Sequence, residues 1–365
     1  MKYNKKEIFC CIFNSGINLG NYMEKSKKIL IDLNKKHSEM FQSQRLERDL
    51  YLSQHPTNVM VFKCMDGRIH MPTVTRTPLG IMRPFRNIGG RFDLGWPLLN
   101  ESFDQHVKKA VARGNRTLVL VTYHYSQGEV HRGCAGFNYD CEESKRFTEN
   151  FRKQILRTYG KDNGVVFPIL VGLETDKDAL IFHGENGDIL DVSNIDGDTE
   201  GSLLILFHKL YPSMPDRILH DLIPLVQGNI RCIKDTIDTG KPLMQLVHGE
   251  WIVAVGKGFD WLHTPNIALI VGPYDPNIGE PIKKAIGIIK ENLRVKKTHN
   301  GFVLLSSAVY SDAAEKNRAK ERAIYLNKLT QDIVKNFYED MVVHMNVMSV
   351  VLNAETMEME IVNLL

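Results

Sequence analysis

Long apolar runs are missing from this chain of 365 residues, and with them any segment of membrane-spanning length. The early stretch Ile8-Phe-Cys-Cys-Ile-Phe13 follows basic residues, but it is too short for the core of a secretion signal and lacks a persuasive cleavage site. An excess of charge of one sign is also missing. Forty-six Lys and Arg against 43 Asp and Glu leave a net charge of +3, which implies neither nucleic acid nor a membrane surface as partner. The lysine-rich stretch from Lys5 to Lys36 reads as a solvated helix face. Cysteine is sparse: Cys10, Cys11, Cys64, Cys134, Cys141 and Cys232 lack the dense, regular spacing of a disulfide scaffold, so a reducing, cytoplasmic setting is expected. What remains is ordinary for a globular protein, with 43% hydrophobic and 24% charged residues, and enough chain for two structural units.

The order of patterns points to an α/β fold, a mostly parallel sheet flanked by helices. Residues 1–57 form an N-terminal helical extension, with apolar positions Ile29, Leu30, Leu33, Met40, Leu46 and Leu50 at roughly helical spacing before Pro56. A catalytic α/β unit is expected over 58–198. It begins with the apolar run Asn58-Val-Met-Val-Phe62 and continues through a Pro-, Arg- and Gly-rich crossover, 72–97. A helix over 101–112, a strand over 117–123, a helix over 142–159 and a strand over 165–173 follow, the last entering a hairpin through 185–188. Residues 199–249 read as a helical connection. Residues 250–365 repeat the plan: strand 251–256, helix 280–292, strand 301–307, a long helix 317–338 and a closing hairpin from 345. Gly256 and Lys257 then stand near the place of Cys64, and Val309 and Tyr310 near that of His124, so a tandem duplication with a metal-free second half is expected.

Chemistry concentrates in Cys64-Met65-Asp66-Gly67-Arg68, where a thiol, a carboxylate and a guanidinium emerge together at the end of a buried strand. About sixty residues on, after the next strand, come His124, His131 and Cys134. Two thiolates and one imidazole suit zinc and leave a fourth position open for water, whose pKa the metal lowers toward about 7. His124 is the preferred ligand because it sits at the strand end; His131 satisfies the shorter spacing to Cys134 and stands as the alternative. The histidine left over suits a proton shuttle, since a free imidazole titrates near neutrality. Asp66 is placed either to ligate zinc or to accept a hydrogen bond from the zinc-bound hydroxide, and Arg68 to hold it in a bidentate pair. His70 and Arg91 are lesser candidates beside the site, and Cys141 reads as an idle thiol.

Cys64-x-Asp66-x-Arg68, then Arg86-Asn87-Ile88-Gly89, then a His and a Cys after the next buried strand resembles the β-class carbonic anhydrases, over roughly residues 58–195. The duplicated layout is closest to the carboxysome shell carbonic anhydrases. The resemblance implies zinc held by Cys64, His124 and Cys134, the Asp66/Arg68 pair serving the zinc-bound water, and Arg86, Asn87 and Gly89 shaping the wall behind the metal. The implied function is the reversible hydration of carbon dioxide to bicarbonate by zinc-bound hydroxide, in a homo-oligomer or an intrachain pseudo-dimer. One departure is that Tyr123 precedes the histidine, and another is the ten positions separating His124 from Cys134. Two other functions compete: a zinc hydrolase of a small analogue such as carbon disulfide, and a non-catalytic scaffold in which zinc is structural. A closed structural site needs neither Asp66 nor Arg68, which weighs against the scaffold.

Overall fold

The computed structural model describes residues 19–160, 164–197, 199–263, 266–295 and 301–362, with the side chains of 19–23 and of Leu243 and Met244 left aside. Cys10, Cys11 and the apolar stretch 8–13 lie outside the described residues. Two helices, α1 (Leu19–Ser43) and α2 (Arg45–Gln54), precede strand β1 (Asn58–Cys64). The first unit continues with α3 (Met71–Val74), β2 (Met82–Asn87), α4 (Pro97–Ala112), β3 (Thr117–Tyr125), α5 (Cys141–Tyr159), β4 (Val166–Glu174), β5 (Ala179–His183) and β6 (Ile189–Asp191). Then come α6 (Glu200–Leu210), α7 (Asp216–Thr239) and the short α8 (Leu243–Leu246). The second unit comprises β7 (Ile252–Gly256), β8 (Ala268–Val271), α9 (Gly279–Arg294), β9 (Phe302–Tyr310), α10 (Ala313–Phe337), β10 (Met345–Asn353) and β11 (Met359–Ile361). Among the described residues no helix is long and apolar enough to cross a membrane.

The two sheets have one plan. The first runs β2-β1-β3-β4-β5-β6 and the second β8-β7-β9-β10-β11, with the first three pairs parallel and the next antiparallel in each. The α/β class and the tandem repeat therefore stand. Strands β1, β3, β7 and β9 are buried almost throughout, as central strands covered on both faces must be, which is why they read as unbroken apolar runs. The helices have local causes as well: Pro97 opens α4, and Asp140 caps α5 by accepting from the Glu143 amide at 2.8 Å.

Three expectations are corrected. Residues 72–97 are not only a crossover, because β2 lies within them; Pro84 sits in a strand paired on one side, where proline is tolerated, and so hides the strand pattern. Its counterpart β8, only four residues long, was likewise not anticipated. The turn at 185–188 joins β5 to β6, whereas β4 turns back through Thr175–Asp178, so a whole strand intervenes. The N-terminal helical pattern is real but splits at Gln44. Leu30 is buried against the second unit beside Trp251 and Ile252, while Leu46 and Leu50 are exposed. Asn34 bonds Met357 O and receives the Met359 amide, and Ser38 bonds Thr356 O, so α1 straps onto the closing hairpin.

The sheets meet along a seam built from the residues that follow β1. Asp66 bridges Leu269 in antiparallel fashion, Gly67 N donates to Ala268 O at 3.0 Å, Ile270 N to Met65 O at 2.7 Å, and Gly272 N to Arg86 O at 2.9 Å. At Gly67 an added Cβ would stand 2.6 Å from Ala268 O, a backbone atom that cannot swing aside. Glycine in the opening motif is thus demanded by the seam. Gly67→Ala is expected to destabilise the chain by about 1–3 kcal/mol, read from denaturant unfolding; a change within about 0.5 kcal/mol would contradict so close an approach.

Candidate metal centre

Cys64 is the last residue of β1 and His124 the penultimate residue of β3, so two neighbouring parallel strands deliver a thiol and an imidazole to one edge of the sheet. The loop after β3 brings Cys134 back, its Sγ 3.9 Å from that of Cys64. One donor atom from each of Cys64, His124 and Cys134 lies within 4.8 Å of the others, and all three residues are buried. Two sulfurs bound tetrahedrally at about 2.3 Å from zinc stand about 3.8 Å apart, close to the spacing here. Neither ring nitrogen of His124 makes a hydrogen bond of good geometry, although both are buried. Buried polar atoms rarely go unsatisfied, and metal ligation is the simplest reason for one of the two. Zinc therefore fits the residues present.

His131 is not part of this cluster. It is exposed on the connecting loop, its ring 5.0 Å from that of Tyr139 in an edge-on contact. Between the two sulfurs, the Cys134 thiol donating to Cys64 lowers the Cys64 pKa against the cost of burial. The same hydrogen bond, together with burial, raises that of Cys134.

The segment after β2 holds the cysteine loop in place. Gly89 and Gly90 adopt left-handed backbone angles, φ 59° and 67°, and Gly89 lies against the Phe137 ring where a Cβ would clash at 2.6 Å. Arg91 lays its guanidinium 4.3 Å over the same ring and donates to Gly136 O at 3.1 Å. Arg86 donates to Asp66 O at 3.1 Å, and Asn87 O accepts from the Met65 amide at 2.8 Å. His70 lies elsewhere, stacked on His263 with ring centroids 3.5 Å apart. Cys141 is half-buried at the start of α5, and Cys232 is buried on α7.

Asp66 and Arg68 form a buried bidentate pair: Nη2 donates to Oδ2 at 2.6 Å and Nε to both oxygens, while the Arg68 amide donates to Oδ1 at 2.9 Å. Burial opposes ionisation of Asp66, but the charge and hydrogen bonds of Arg68 outweigh it and hold the carboxyl well below the usual carboxylate range. Arg68 also donates to Leu246 O at 2.5 Å, to Arg132 O at 2.8 Å and to His248 Nε2 at 3.2 Å. With that tautomer His248 Nδ1 donates to Glu250 Oε1 at 2.8 Å, and Asn292 donates to Glu250 Oε2 at 3.2 Å. Asp66, His248 and Glu250 also lie close enough to share a cation, yet the Arg68 guanidinium already stands among them and bonds two of the three. His248 and Glu250 were missed by the sequence reading. They fall where a helical connection gives way to β7, and only two ionisable residues just before an apolar strand signal them.

Strand register explains why the second unit has no such cluster among the described residues. Val59 pairs Leu118 as Ile252 pairs Val303, which sets Lys257 in the place of Cys64 and Val309 in that of His124. A Cβ on Gly258 would lie 2.8 Å from Val309, so an apolar side chain fills that strand end.

Fold and site together define an α/β zinc-type centre with an adjoining carboxylate–guanidinium pair. Residues 50–192 match the family model of the carboxysome shell carbonic anhydrase catalytic domain, a match that begins in α2 and stops before α6. Through this segment the chain is similar to the carboxysome shell carbonic anhydrases. No curated protein matches the chain.

Two outcomes test this geometry. His124→Ala should lose metal on purification and dialysis while His131→Ala keeps it, with metal content measured on both; the reverse pattern would assign the loop histidine instead. Arg68→Ala should cost about 3–5 kcal/mol near neutrality by stranding a buried carboxylate. Since the folded carboxyl is depressed, the stabilisation is present above the unfolded value near 3.9 and drains away as pH falls below it. The difference between wild type and variant in denaturant unfolding should therefore shrink on the acid side, and a difference that grows there would refute the pairing.

Proposed function

We propose that the 58–198 unit is a zinc-dependent carbonic anhydrase interconverting carbon dioxide and bicarbonate, with Cys64, His124 and Cys134 as metal ligands. The observation that carries this is the Asp66 carboxyl held in a buried bidentate pair by Arg68 beside a buried two-sulfur, one-imidazole cluster. When bound, zinc supplies the Lewis acidity that makes water a nucleophile near neutral pH. The chain's own residues do the rest. An ionised carboxylate only accepts hydrogen bonds, so Asp66 fixes the hydrogen of the attacking water and turns a lone pair toward the carbon of the substrate. Arg68 keeps Asp66 ionised and turned from the metal, because both Asp66 oxygens are already engaged with the guanidinium. Leu246, His248 and Glu250 hold Arg68 from behind, so the segment leading into the second unit completes the first unit's site.

The reading includes a cytoplasmic setting, since two thiols 3.9 Å apart must stay reduced to hold a metal. It also includes an intrachain pseudo-dimer, in which the seam along β8 does within one chain what a subunit contact does between two. Of the N-terminal extension 1–57, the described helix α1 serves as strap, residues 199–249 as connection and 250–365 as a repeat to which no metal ligand is assigned. A scaffold with structural zinc would gain nothing from a buried charge pair that costs desolvation to maintain.

The deciding experiment is stopped-flow hydration of carbon dioxide, with zinc content measured on the same sample. Cys64→Ser should lose both metal and activity. Asp66→Asn should keep the metal and lose at least about tenfold in turnover. Zinc without hydration between about pH 7 and 9 would sink the proposal, and turnover of carbon disulfide in its place would move it to the hydrolase reading.

A further inference from the structure

A cavity of about 700 Å³ runs along α5 toward the N-terminal ends of β3 and β4, and none of the metal-cluster residues lines it. It exists because of how β4 is paired. Leu170–Glu174 pair with β5, but Val166–Ile169 have a neighbour only on the β3 side, and after His183 the chain turns away through Gly184. A trough is left between that open strand edge, α5 and the residues after α6.

Its walls have two characters. Phe167 and Tyr211 stand edge to face, with centroids 6.3 Å apart and rings at 84°, and together make an aromatic corner. The polar wall is unevenly paired. Arg152 donates to both oxygens of Glu149 at 2.6 and 2.7 Å, and Glu185 accepts from the Ser213 amide and hydroxyl, so these carboxylates are engaged. Arg116 and Arg146, on the same cavity, have no ion-pair partner among the described residues. One further atom is out of place: the Tyr211 hydroxyl is buried with no hydrogen-bond partner, within electrostatic reach of Arg152 on one wall and Glu185 on the other. A buried hydroxyl left unmatched costs stability, and folded chains keep few of them.

We infer that this cavity is a second ligand site, separate from the metal centre, for a small aromatic oxoanion. The ring would lie against Phe167 and Tyr211, the head would meet Arg116 at the end of the trough where β3 and β4 begin, and the Tyr211 hydroxyl would supply a neutral donor. A volume of this size suits a single small molecule. Carboxylate and phosphate share the recognition chemistry, because either accepts from a guanidinium fork.

Calorimetric titration of the full chain tests this with four probes: 1-naphthyl phosphate, 1-naphthoate, 1-naphthol and inorganic phosphate. One or both aryl anions should bind at least tenfold more tightly than 1-naphthol and than inorganic phosphate, and which of them binds identifies the head group. Arg116→Ala should weaken that binding at least tenfold. Tyr211→Phe, which removes only the hydroxyl, should weaken it severalfold while the unliganded protein melts no lower than the wild type, because an unmatched buried donor is gone. Metal content and carbon dioxide hydration should stay as in the wild type in the arginine variant, so failure here is distinguishable from failure of the carbonic anhydrase reading. Inorganic phosphate binding as well as the aryl anions means an adventitious ion only, and overturns the site. Equal affinity for 1-naphthol, or an unchanged affinity in the Arg116 variant, does the same.

Discussion

Arg68 is a buried cation that would be ruinous to fold around if it were not satisfied, and its satisfaction organises the site. The guanidinium reaches Asp66 two residues back, Arg132 O on the cysteine loop, and Leu246 O and His248 in the segment before β7. Three stretches of chain far apart in sequence are thereby drawn to one point. Desolvation of the pair is costly, and the return is a carboxylate of fixed charge and orientation next to the two-sulfur cluster. Glu250, wholly buried and tied to His248 and Asn292, extends the same network into the second unit.

The duplication gives that network its frame. One strand order, drawn twice, places β8 against the backbone that follows β1, and the pairing of Met65–Gly67 with Ala268–Ile270 holds the Asp66–Arg68 turn. The second unit has no metal cluster of its own at Lys257 and Val309, yet it supplies the strand edge and the buried carboxylate that the first unit's centre leans on. Divergence of the repeats is therefore a division of parts: one half holds the two-sulfur cluster and the carboxylate–guanidinium pair while the other half is the wall behind them. The strap of α1 across the closing hairpin, through Asn34 and Ser38, ties the N-terminal helix to that wall.

The central strands, the helices α4, α5, α9 and α10, and the duplication were legible in the sequence because burial on both faces and helical periodicity leave local patterns. Of the strands that were missed, β2 and β8 lie at sheet edges, are short or interrupted by proline, and owe their extended form to a neighbour rather than to their own composition. Cys64, His124 and Cys134 were legible for a related reason: two of them sit at or near the ends of recognisable strands, where side chains converge. His248 and Glu250 were not, since nothing in a chain's local pattern states what a connecting segment will touch.

By itself the sequence determined the α/β class, the candidate ligands and the carboxylate–guanidinium pair, all of which depend on residues close together or on strands whose burial is written into their composition. Only the tertiary structure decided between His124 and His131 as the histidine brought to the two sulfurs. Only it, too, showed why Gly67 must be glycine, and that the second unit closes the site behind Arg68. Each of these depends on contacts between segments remote along the chain, and such contacts follow from how the two sheets meet rather than from any periodicity within them.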